Sequence, residues 1–358
     1  MNIVVVDYQW NQGFNGGYTS MMELVRSLPE GHTLKILGKY FKPDAPCGEA
    51  LTSFDSLAST RQWITKGNWM PDVIWLNCLQ ELKLGDELSQ TLDPRRKIPL
   101  VANIRILKKA LTDSELNRLI RLDQLICASK YGSQAWTDTY GFDVAIIPNS
   151  VNLEQFKPDS ATRVWLRSKL KLTKPSDRLL LYLGRLEECK GINDLPHILR
   201  EAQMARPDLN YHLAIVGRKG HMPREFKQQI ANLQSSNISI HGFSERPQEW
   251  MQAADVMLVP SRWEELFGKV IVEAMACGLP VLATDRGGIP EILKGKLDRF
   301  VMATPCDPKQ WGLNIAELEH ESWAETLIAA AQDYAAPKLA QQYIELFEDV
   351  IVKSYVPS

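Results

Sequence analysis

The sequence predicts an α/β fold made of two doubly wound parallel sheets. The predicted strands are short runs of Val, Ile and Leu that are apolar throughout, which is typical of strands buried on both faces of a sheet. They alternate with segments of helical periodicity, which indicates parallel strands joined by crossover helices. The pattern occurs in both halves of a chain of 358 residues, a length that suits about two domains.

The predicted strands are spread over both halves of the chain. In the first half they are Asn2–Val6, Thr33–Leu37, Asp72–Leu76, Pro99–Ile104, Gln124–Ala128 and Val144–Ile147. In the second half they are Leu179–Leu183, Tyr211–Val216, Ile238–Ile240, Asp255–Val259, Pro280–Thr284 and Arg299–Met302. The stretch 149–177, with two prolines, is interpreted as the connection. We predict domains over residues 1–155 and 156–336, and a C-terminal helix over 337–358 that crosses back to the first domain.

Composition and charge exclude several classes of protein. A net charge of -2 gives no electrostatic footprint for nucleic acid. The six cysteines have no CxxC spacing and no neighbouring His cluster, which predicts free thiols in a reducing cytosol and no zinc site. The N-terminus lacks the pattern of a signal peptide, and no apolar run approaches the roughly 18 residues that span a bilayer. We therefore expect a cytoplasmic protein.

The most informative segment is 260–291, PSRWEELFGKVIVEAMACGLPVLATDRGGIPE. It predicts a loop after a buried strand, a helix that begins near Phe267 and Gly268, and a second strand. Ligands of parallel sheets bind at the carboxyl ends of the strands, where this helix begins. The first amides of the helix, near Phe267, Gly268 and Lys269, have no intrahelical partner and can donate to sugar or diphosphate oxygens.

Two carboxylates accompany this helix. Glu265 lies in the loop before it, and Glu273 follows eight residues later. At about 100° per residue the two are roughly 80° apart, so they can contact different parts of one extended ligand. The alternative interpretation is a surface pair on a packed helix, which leaves the apolar, glycine-flanked context unexplained.

A second motif, LYLGRLEECKGI at 181–192, follows a strand of the same half. Arg185 and Lys190 can neutralise a diphosphate without a metal, because one offers a planar fork and the other a compact charge. The alternative is a solvated charge run in which Glu187 and Glu188 are the local partners.

The two motifs together resemble retaining glycosyltransferases of the GT-B fold, in particular glycosyltransferase family 4, the glycosyl transferases group 1. The resemblance rests on Glu265, seven residues and then Glu273, on the FG, VxxEAMACGxPV and GGIPE elements, and on GR-L-x-x-x-KG. It implies two Rossmann-like domains that face a central cleft. The first is on the acceptor side and the second binds a nucleotide sugar.

The resemblance also implies roles for individual residues. Glu265 is expected to contact hydroxyls of the transferred sugar, and Glu273 the ribose hydroxyls. Arg185 and Lys190 are expected to stabilise the departing diphosphate, without a metal. More loosely matched positions are Gly16 and Gly17 near the phosphate, and Gly217 and Phe243 near the base. The stretch IPNSVN at 147–152 is interpreted as a hinge, with Ser150 in place of the family's Gly.

The first half departs from the family at the acceptor side. Many members have a His after the fourth strand, where this chain has Asn103 and Arg105. Arginine cannot act as a general base at neutral pH, but it can bind a phosphate or carboxylate of the acceptor. A surface role for Arg105 in a diverged loop is an equally open interpretation.

The segment 95–121 carries eight basic residues and two acidic ones. Its members are Arg95, Arg96, Lys97, Arg105, Lys108, Lys109, Arg118 and Arg121, against Asp113 and Glu115. One hypothesis is peripheral contact with an anionic membrane, to which each basic group contributes about 1 kcal/mol. The alternatives are a solvated helix face or an anionic acceptor site.

Together these patterns predict a retaining glycosyltransferase that moves a hexose-type sugar from a nucleotide-diphosphate sugar to a glycan, glycolipid or other hydroxyl acceptor. Cell-surface polysaccharide or lipopolysaccharide biosynthesis is the expected setting. Two other classes stay open. One is a non-catalytic protein that binds nucleotide sugars or glycans. The other is a glycoside hydrolase that uses Glu265 and Glu273 as acid and nucleophile.

Overall fold

The structure, a computed structural model, describes residues 1–7, 16–38, 48–51, 56–107, 110–218, 228, 237–318 and 320–355. The chain divides into two compact units. The first unit comprises Met1–Ser150 and Tyr334–Ser358, and the second comprises Val151–Asp333. Each unit contains one parallel sheet covered by helices, which confirms the predicted pair of doubly wound, Rossmann-like α/β domains.

The first unit is built on strands in the order β3-β2-β1-β4-β5-β6-β7. They are β1 (Asn2–Asp7), β2 (Thr33–Gly38), β3 (Gly48–Leu51), β4 (Val73–Leu76), β5 (Leu100–Ile104), β6 (Gln124–Cys127) and β7 (Val144–Ile146). The helices between them are α1 (Gly16–Arg26), α2 (Leu57–Ile64), α3 (Leu82–Thr91), α4 (Asp113–Leu119) and α5 (Lys130–Tyr140). The order reverses between β1 and β4, so a crevice is expected where these two strands end.

The second unit has strands in the order β10-β9-β8-β11-β12-β13. They are β8 (Asp177–Leu183), β9 (Asn210–Val216), β10 (Ile238–His241), β11 (Val256–Val259), β12 (Val281–Thr284) and β13 (Val301–Met302). Its helices are α6 (Ser160–Lys169), α7 (Leu195–Ala205), α8 (Pro247–Ala253), α9 (Lys269–Ala276), α10 (Ile289–Ile292), α11 (Pro308–Glu317) and α12 (His320–Ala331). Here the order reverses between β8 and β11.

The C-terminal helix α13 (Ala336–Tyr355) belongs to the first unit. Its Tyr343 and Phe347 rings lie 4.7 and 5.6 Å from the ring of Trp75 on β4, measured between centroids. All three side chains are fully buried. Burial of each such aromatic side chain stabilises the fold by roughly 1.5–3 kcal/mol, so the helix is an integral part of this core.

The amino ends of two strands in the second unit are tied to α6 by a buried carboxylate. Asp255 accepts hydrogen bonds from Arg163 at 2.5 Å, from Arg167 at 2.9 Å and from the Leu179 amide at 2.6 Å. Burial opposes the ionisation of Asp255, but the two guanidinium groups outweigh it and hold its pKa below the usual value. The carboxyl ends of β8 and β11 lie at the opposite edge of the sheet, where the loops that carry Lys190 and Glu265 begin.

Two elements differ from the sequence predictions. Strand β3 was not predicted, because its sequence GEAL has no continuous apolar run and it lies at the edge of the sheet. Strand β13 is shorter than predicted, because residues Gly295–Phe300 form a 3₁₀ helix that ends where the strand begins.

Candidate functional site

Two loops of the second unit meet where the order of the strands reverses. Lys190, in the loop after β8, donates to Oε1 of Glu265, in the loop after β11, with 2.5 Å between Nζ and Oε1. The two side chains are 17% and 20% exposed. Ser261 adds a hydrogen bond of 3.0 Å to the same carboxylate oxygen. Two sequence motifs 75 residues apart therefore converge on one partly buried ion pair.

Glycines allow these loops to approach each other closely. Gly191 has φ +71°, and a Cβ there would lie 1.7 Å from the Pro260 carbonyl oxygen. Gly287 has φ +60°, and its Cβ would lie 2.1 Å from the Glu265 carbonyl oxygen, which also accepts from the Gly288 amide at 2.7 Å. Both a positive φ and the missing side chain are needed, so only glycine fits these positions.

Helix α9 begins directly after this ion pair. Gly268 caps it, Lys269 is its first residue, and Phe267 is buried beside it. Lys269 and Glu273, one turn apart, form an ion pair of 3.1 Å whose side chains are only 5% and 10% exposed. Each of the two predicted carboxylates thus has its own lysine partner. The N-terminal end of α9 lies at the carboxyl edge of the sheet.

Arg185 differs from Lys190. Its side chain is 65% exposed and its guanidinium pairs with Glu187 at 2.9 Å. Arg185 therefore has the local acidic partner that a solvated charge run predicts, whereas Lys190 contacts the other motif. The Arg185 carbonyl is fixed by the Tyr182 hydroxyl at 2.6 Å, and burial raises the pKa of that hydroxyl well above its ordinary value.

The remaining predicted residues lie at several places. Gly217 follows β9, and its amide donates to the His241 carbonyl at 3.4 Å. Phe243 is 46% exposed, with the Arg218 guanidinium 5.6 Å from its ring centroid. Gly16 and Gly17 begin α1 in the first unit, and Gly16 is exposed.

In the first unit, Asn103 and Arg105 have different surroundings. Asn103 is buried and its Oδ1 accepts a hydrogen bond of 3.1 Å from the Tyr343 hydroxyl of α13. Its carbonyl oxygen therefore serves the packing of the C-terminal helix, and the acceptor-side role of Asn103 stays a prediction. Arg105 instead contacts Asn77 and Asn149 at the carboxyl edge of the sheet.

A buried carboxyl lies beside Arg105. Asp7 ends β1, is 1% exposed and accepts from the Asn77 side chain at 3.2 Å. Burial raises its pKa to about 6, against the lowering effects of Asn77 and Arg105. Asp7 was not predicted from the sequence, although a charged residue at the end of a wholly apolar strand was a usable signal. Ser261 was predicted only as the end of a strand.

The raised pKa of Asp7 makes stability depend on pH. The unfolded chain ionises this carboxyl near pH 4 and the folded chain near pH 6, so rising pH favours the unfolded chain between these values. We expect wild-type protein to lose up to about 3 kcal/mol of stability relative to Asp7→Asn across this window. Urea unfolding of both proteins at pH 4.5, 5.5 and 7 measures the difference. A constant difference would contradict the assignment.

Three basic residues of the segment 95–121 form ion pairs within the first unit. Lys97 contacts Asp123 at 3.0 Å, Arg121 contacts Asp86 at 2.8 Å, and Arg96 contacts Asp93 at 3.5 Å. All three carboxylates lie outside the sequence window that was counted. Lys108 and Lys109 are not among the described residues. The positive charge that the window indicated is therefore partly neutralised.

Within the described part of the chain, no group of three or more His, Cys, Asp or Glu is arranged to hold a metal ion. The described cysteines are free thiols. They are Cys78, Cys127, Cys189, Cys277 and Cys306. No helix among the described residues is long and apolar enough to cross a bilayer.

The sequence of the chain is similar to a known protein family and to several individual proteins. Residues 167–335 match the model of the family Glycosyl transferases group 1. The chain is 30% identical over 202 residues to a D-inositol 3-phosphate glycosyltransferase of Xylanimonas cellulosilytica, covering 53% of this chain and 46% of that protein. It is 28% identical over 291 residues to the protein of the same name from Corynebacterium jeikeium, covering 76% and 65%. The chain thus spans about half the length of the curated relatives it matches.

Solved structures extend the similarity of fold to nearly the whole chain. Anabaena Alr3699/HepE, solved in complex with UDP-glucose, aligns with a TM-score of 0.78 at 20% identity, covering 98% of this chain and 100% of that one. The chain therefore has the GT-B fold, and residues 167–335 match the glycosyl transferases group 1 model.

Proposed function

We propose that this protein is a retaining glycosyltransferase that transfers a hexose-type sugar from a nucleotide-diphosphate sugar to a hydroxyl acceptor. The observation that carries the proposal is the Lys190–Glu265 ion pair beside the open end of α9. A cation, a carboxylate and the first amides of a helix at one point of a parallel sheet suit an anionic, hydroxyl-rich ligand. The family match of residues 167–335 supports it.

Different residues of the second unit bind different parts of the donor. Glu265 accepts from hydroxyls of the transferred sugar, and Lys190 donates to the diphosphate. The amides of Phe267, Gly268 and Lys269 hold the phosphate at the positive end of α9. Arg185, which is exposed and among the described residues is paired with Glu187, can turn toward the diphosphate.

The outer parts of the donor are assigned to other residues. Glu273 binds the ribose hydroxyls, and Gly217 and Phe243 flank the base. Gly16 and Gly17, at the exposed start of α1, are assigned to the phosphate from the first unit.

The chemical step that these groups serve is departure of the nucleoside diphosphate. As the glycosidic bond to the phosphate breaks, negative charge grows on the bridging oxygen. Lys190, Arg185 and the amides of α9 stabilise that charge, and such preorganised groups usually supply a large part of catalysis. We propose that no metal ion is needed, since two cations already lie in the loop after β8. The acceptor hydroxyl attacks the anomeric carbon on the face from which the diphosphate leaves, and its proton passes to the departing phosphate oxygen.

A glycoside hydrolase fits the site less well. Such enzymes need two carboxyl groups that flank one glycosidic bond. Here Glu265 is paired with Lys190 of the neighbouring loop, and Glu273 is paired with Lys269 inside helix α9. Lys190 also has no role in simple glycoside cleavage.

Nucleoside diphosphate release tests the proposed function. The protein is incubated with UDP-, GDP- and ADP-sugars, with and without a panel of glycan and glycolipid acceptors. We expect acceptor-dependent release from one nucleotide family, with a glycosylated product of the same anomeric configuration. Binding without turnover on any acceptor would favour a non-catalytic sugar-nucleotide binding protein. Release that does not depend on acceptor would favour hydrolysis.

The loop contact at Gly191 gives a matched structural test. Gly191→Ala is expected to displace the loop that carries Lys190 and to weaken nucleotide binding roughly tenfold, the equivalent of about 1.4 kcal/mol. Gly295→Ala is the control, because Gly295 also has positive φ but a Cβ there meets nothing within 4 Å. Calorimetric titration of both variants measures the difference. Equal nucleotide affinities would show that the Gly191–Pro260 approach does not position the site.

The setting of the reaction belongs to the proposal as well. We propose a cytoplasmic enzyme of cell-surface polysaccharide or lipopolysaccharide biosynthesis, with peripheral membrane contact through 95–121. The ion pairs of Lys97 and Arg121 reduce the charge available for such contact. Sedimentation with vesicles tests it. Recovery that rises with anionic lipid supports contact, and equal recovery with neutral and anionic vesicles excludes it.

A further inference from the structure

The carboxyl edge of the sheet in the first unit carries a polar cluster at its own reversal of strand order. Asp7 ends β1, Asn77 follows β4, Arg105 follows β5 and Asn149 lies beyond β7. In parallel sheets this is where ligands bind, and the reversal between β1 and β4 is the preferred place. The cluster is not used by the donor groups of the second unit.

Arg105 is held in one orientation by neutral groups. Its Nε donates to the Asn77 carbonyl at 3.0 Å, and its Nη2 to Asn77 Oδ1 at 2.6 Å. Its Nη1 donates to Asn149 Oδ1 at 2.6 Å. A guanidinium has five N–H donors, so donors on both terminal nitrogens remain after these contacts.

No carboxylate among the described residues forms an ion pair with Arg105. Asn77 lies between Arg105 and Asp7, since its Nδ2 donates to Asp7 while its Oδ1 accepts from Arg105. Arg163 and Arg167, which are also partly buried, share the carboxylate of Asp255. Among the described residues the guanidinium of Arg105 is therefore fixed in place without a direct ion pair, and Asp7 is linked to it through Asn77.

A purely structural role explains this arrangement poorly. Partial burial of a cation without an opposite charge carries a desolvation cost, which neutral amide oxygens offset only in part. A neutral side chain could tie the ends of β4, β5 and β7 together without that cost. The arrangement is favourable once an anion completes it.

We propose that Arg105 binds an anionic oxygen group, a phosphate or a carboxylate, carried by the acceptor. Asn77 and Asn149 are positioning residues that aim the guanidinium, whose planar fork matches both anions. The inference rests on the proposed function, because it names the chemical class of the acceptor. It predicts that a neutral polyol is a poorer acceptor than its phosphorylated or carboxylated counterpart.

Binding of simple anions tests this site without requiring turnover. The whole protein is labelled with ¹⁵N-arginine, and the Nε–Hε resonance of Arg105 is assigned by its loss in Arg105→Lys. Inorganic phosphate and acetate are titrated separately, with chloride as the control for ionic strength. We expect a saturable shift of the Arg105 resonance with one or both anions, while the resonances of Arg163 and Arg167 stay in place. Phosphate alone would indicate a phosphorylated acceptor, and acetate alone a carboxylated one.

Two results would overturn the proposal. The first is an Arg105 resonance that does not move, or that moves equally with chloride. The second is an Asn77→Ala variant that binds the anion that shifted the Arg105 resonance as tightly as wild type does. We expect this variant to bind it roughly tenfold more weakly, because Asn77 no longer orients the guanidinium. Neither result bears on donor binding, so failure here is distinct from failure of the proposed transfer reaction.

Discussion

Replacing Lys190 with methionine is expected to lower kcat/KM by about 10²–10³-fold. Methionine keeps much of the length of the side chain but removes the charge that lies 2.5 Å from Glu265 and faces the expected diphosphate. The loss should fall mainly on kcat, because the leaving group gains charge only in the transition state. Initial rates with the nucleotide sugar that the protein accepts measure it.

The control for this prediction is Lys296→Met. Lys296 is exposed in the same unit and lies outside both motifs, so its loss should leave the rates unchanged. Circular dichroism and thermal unfolding show whether each variant is folded. A folded Lys190→Met protein with the kcat of wild type would contradict the role given to Lys190.

Glu273→Leu is expected to destabilise the protein by about 3–5 kcal/mol. The change removes one partner of the buried Lys269–Glu273 ion pair. The ammonium group of Lys269 stays buried but loses this carboxylate. Nucleotide affinity is expected to fall as well, because the ribose hydroxyls lose their acceptor. Denaturant unfolding and calorimetric titration measure the two effects separately.

A double variant separates packing from binding at Glu273. Lys269→Met with Glu273→Leu replaces the pair by apolar side chains of similar volume, which is often close to neutral for stability. We expect most of the lost stability to return while nucleotide binding stays weak, since the Lys269 amide is unchanged but the carboxylate is gone. Recovery of both properties would show that Glu273 serves only the packing of α9.

Each motif of the second unit could be predicted from sequence, but the contact between the two motifs could not. The strand before Gly184 and the helix after Gly268 follow from local apolar patterns and glycine placement. The Lys190–Glu265 contact depends on β8 and β11 being neighbours, and strand order is a property of the whole sheet. The same limit explains why Arg185 and Lys190 looked equivalent in sequence, although only Lys190 reaches the other loop.

What the sequence left out in the first unit also has physical causes. Counting charge over 95–121 missed Asp86, Asp93 and Asp123, because ion pairs form across the fold and not within a window. Asn103 was grouped with Arg105 by sequence position alone. In the structure Tyr343, 240 residues away, accounts for the buried carbonyl oxygen of Asn103.

Hydrogen exchange on the whole protein tests the central claim most directly. The claim is that the loops after β8 and β11 and the start of α9 form the donor site. Exchange is measured with and without the nucleotide sugar that most raises the thermal midpoint. We predict slower exchange in peptides covering 184–191, 261–269 and 284–288, weakened in Lys190→Met. Nucleotide binding that protects other segments and leaves these three unchanged would contradict the claim, as would the absence of binding by any UDP, GDP or ADP sugar.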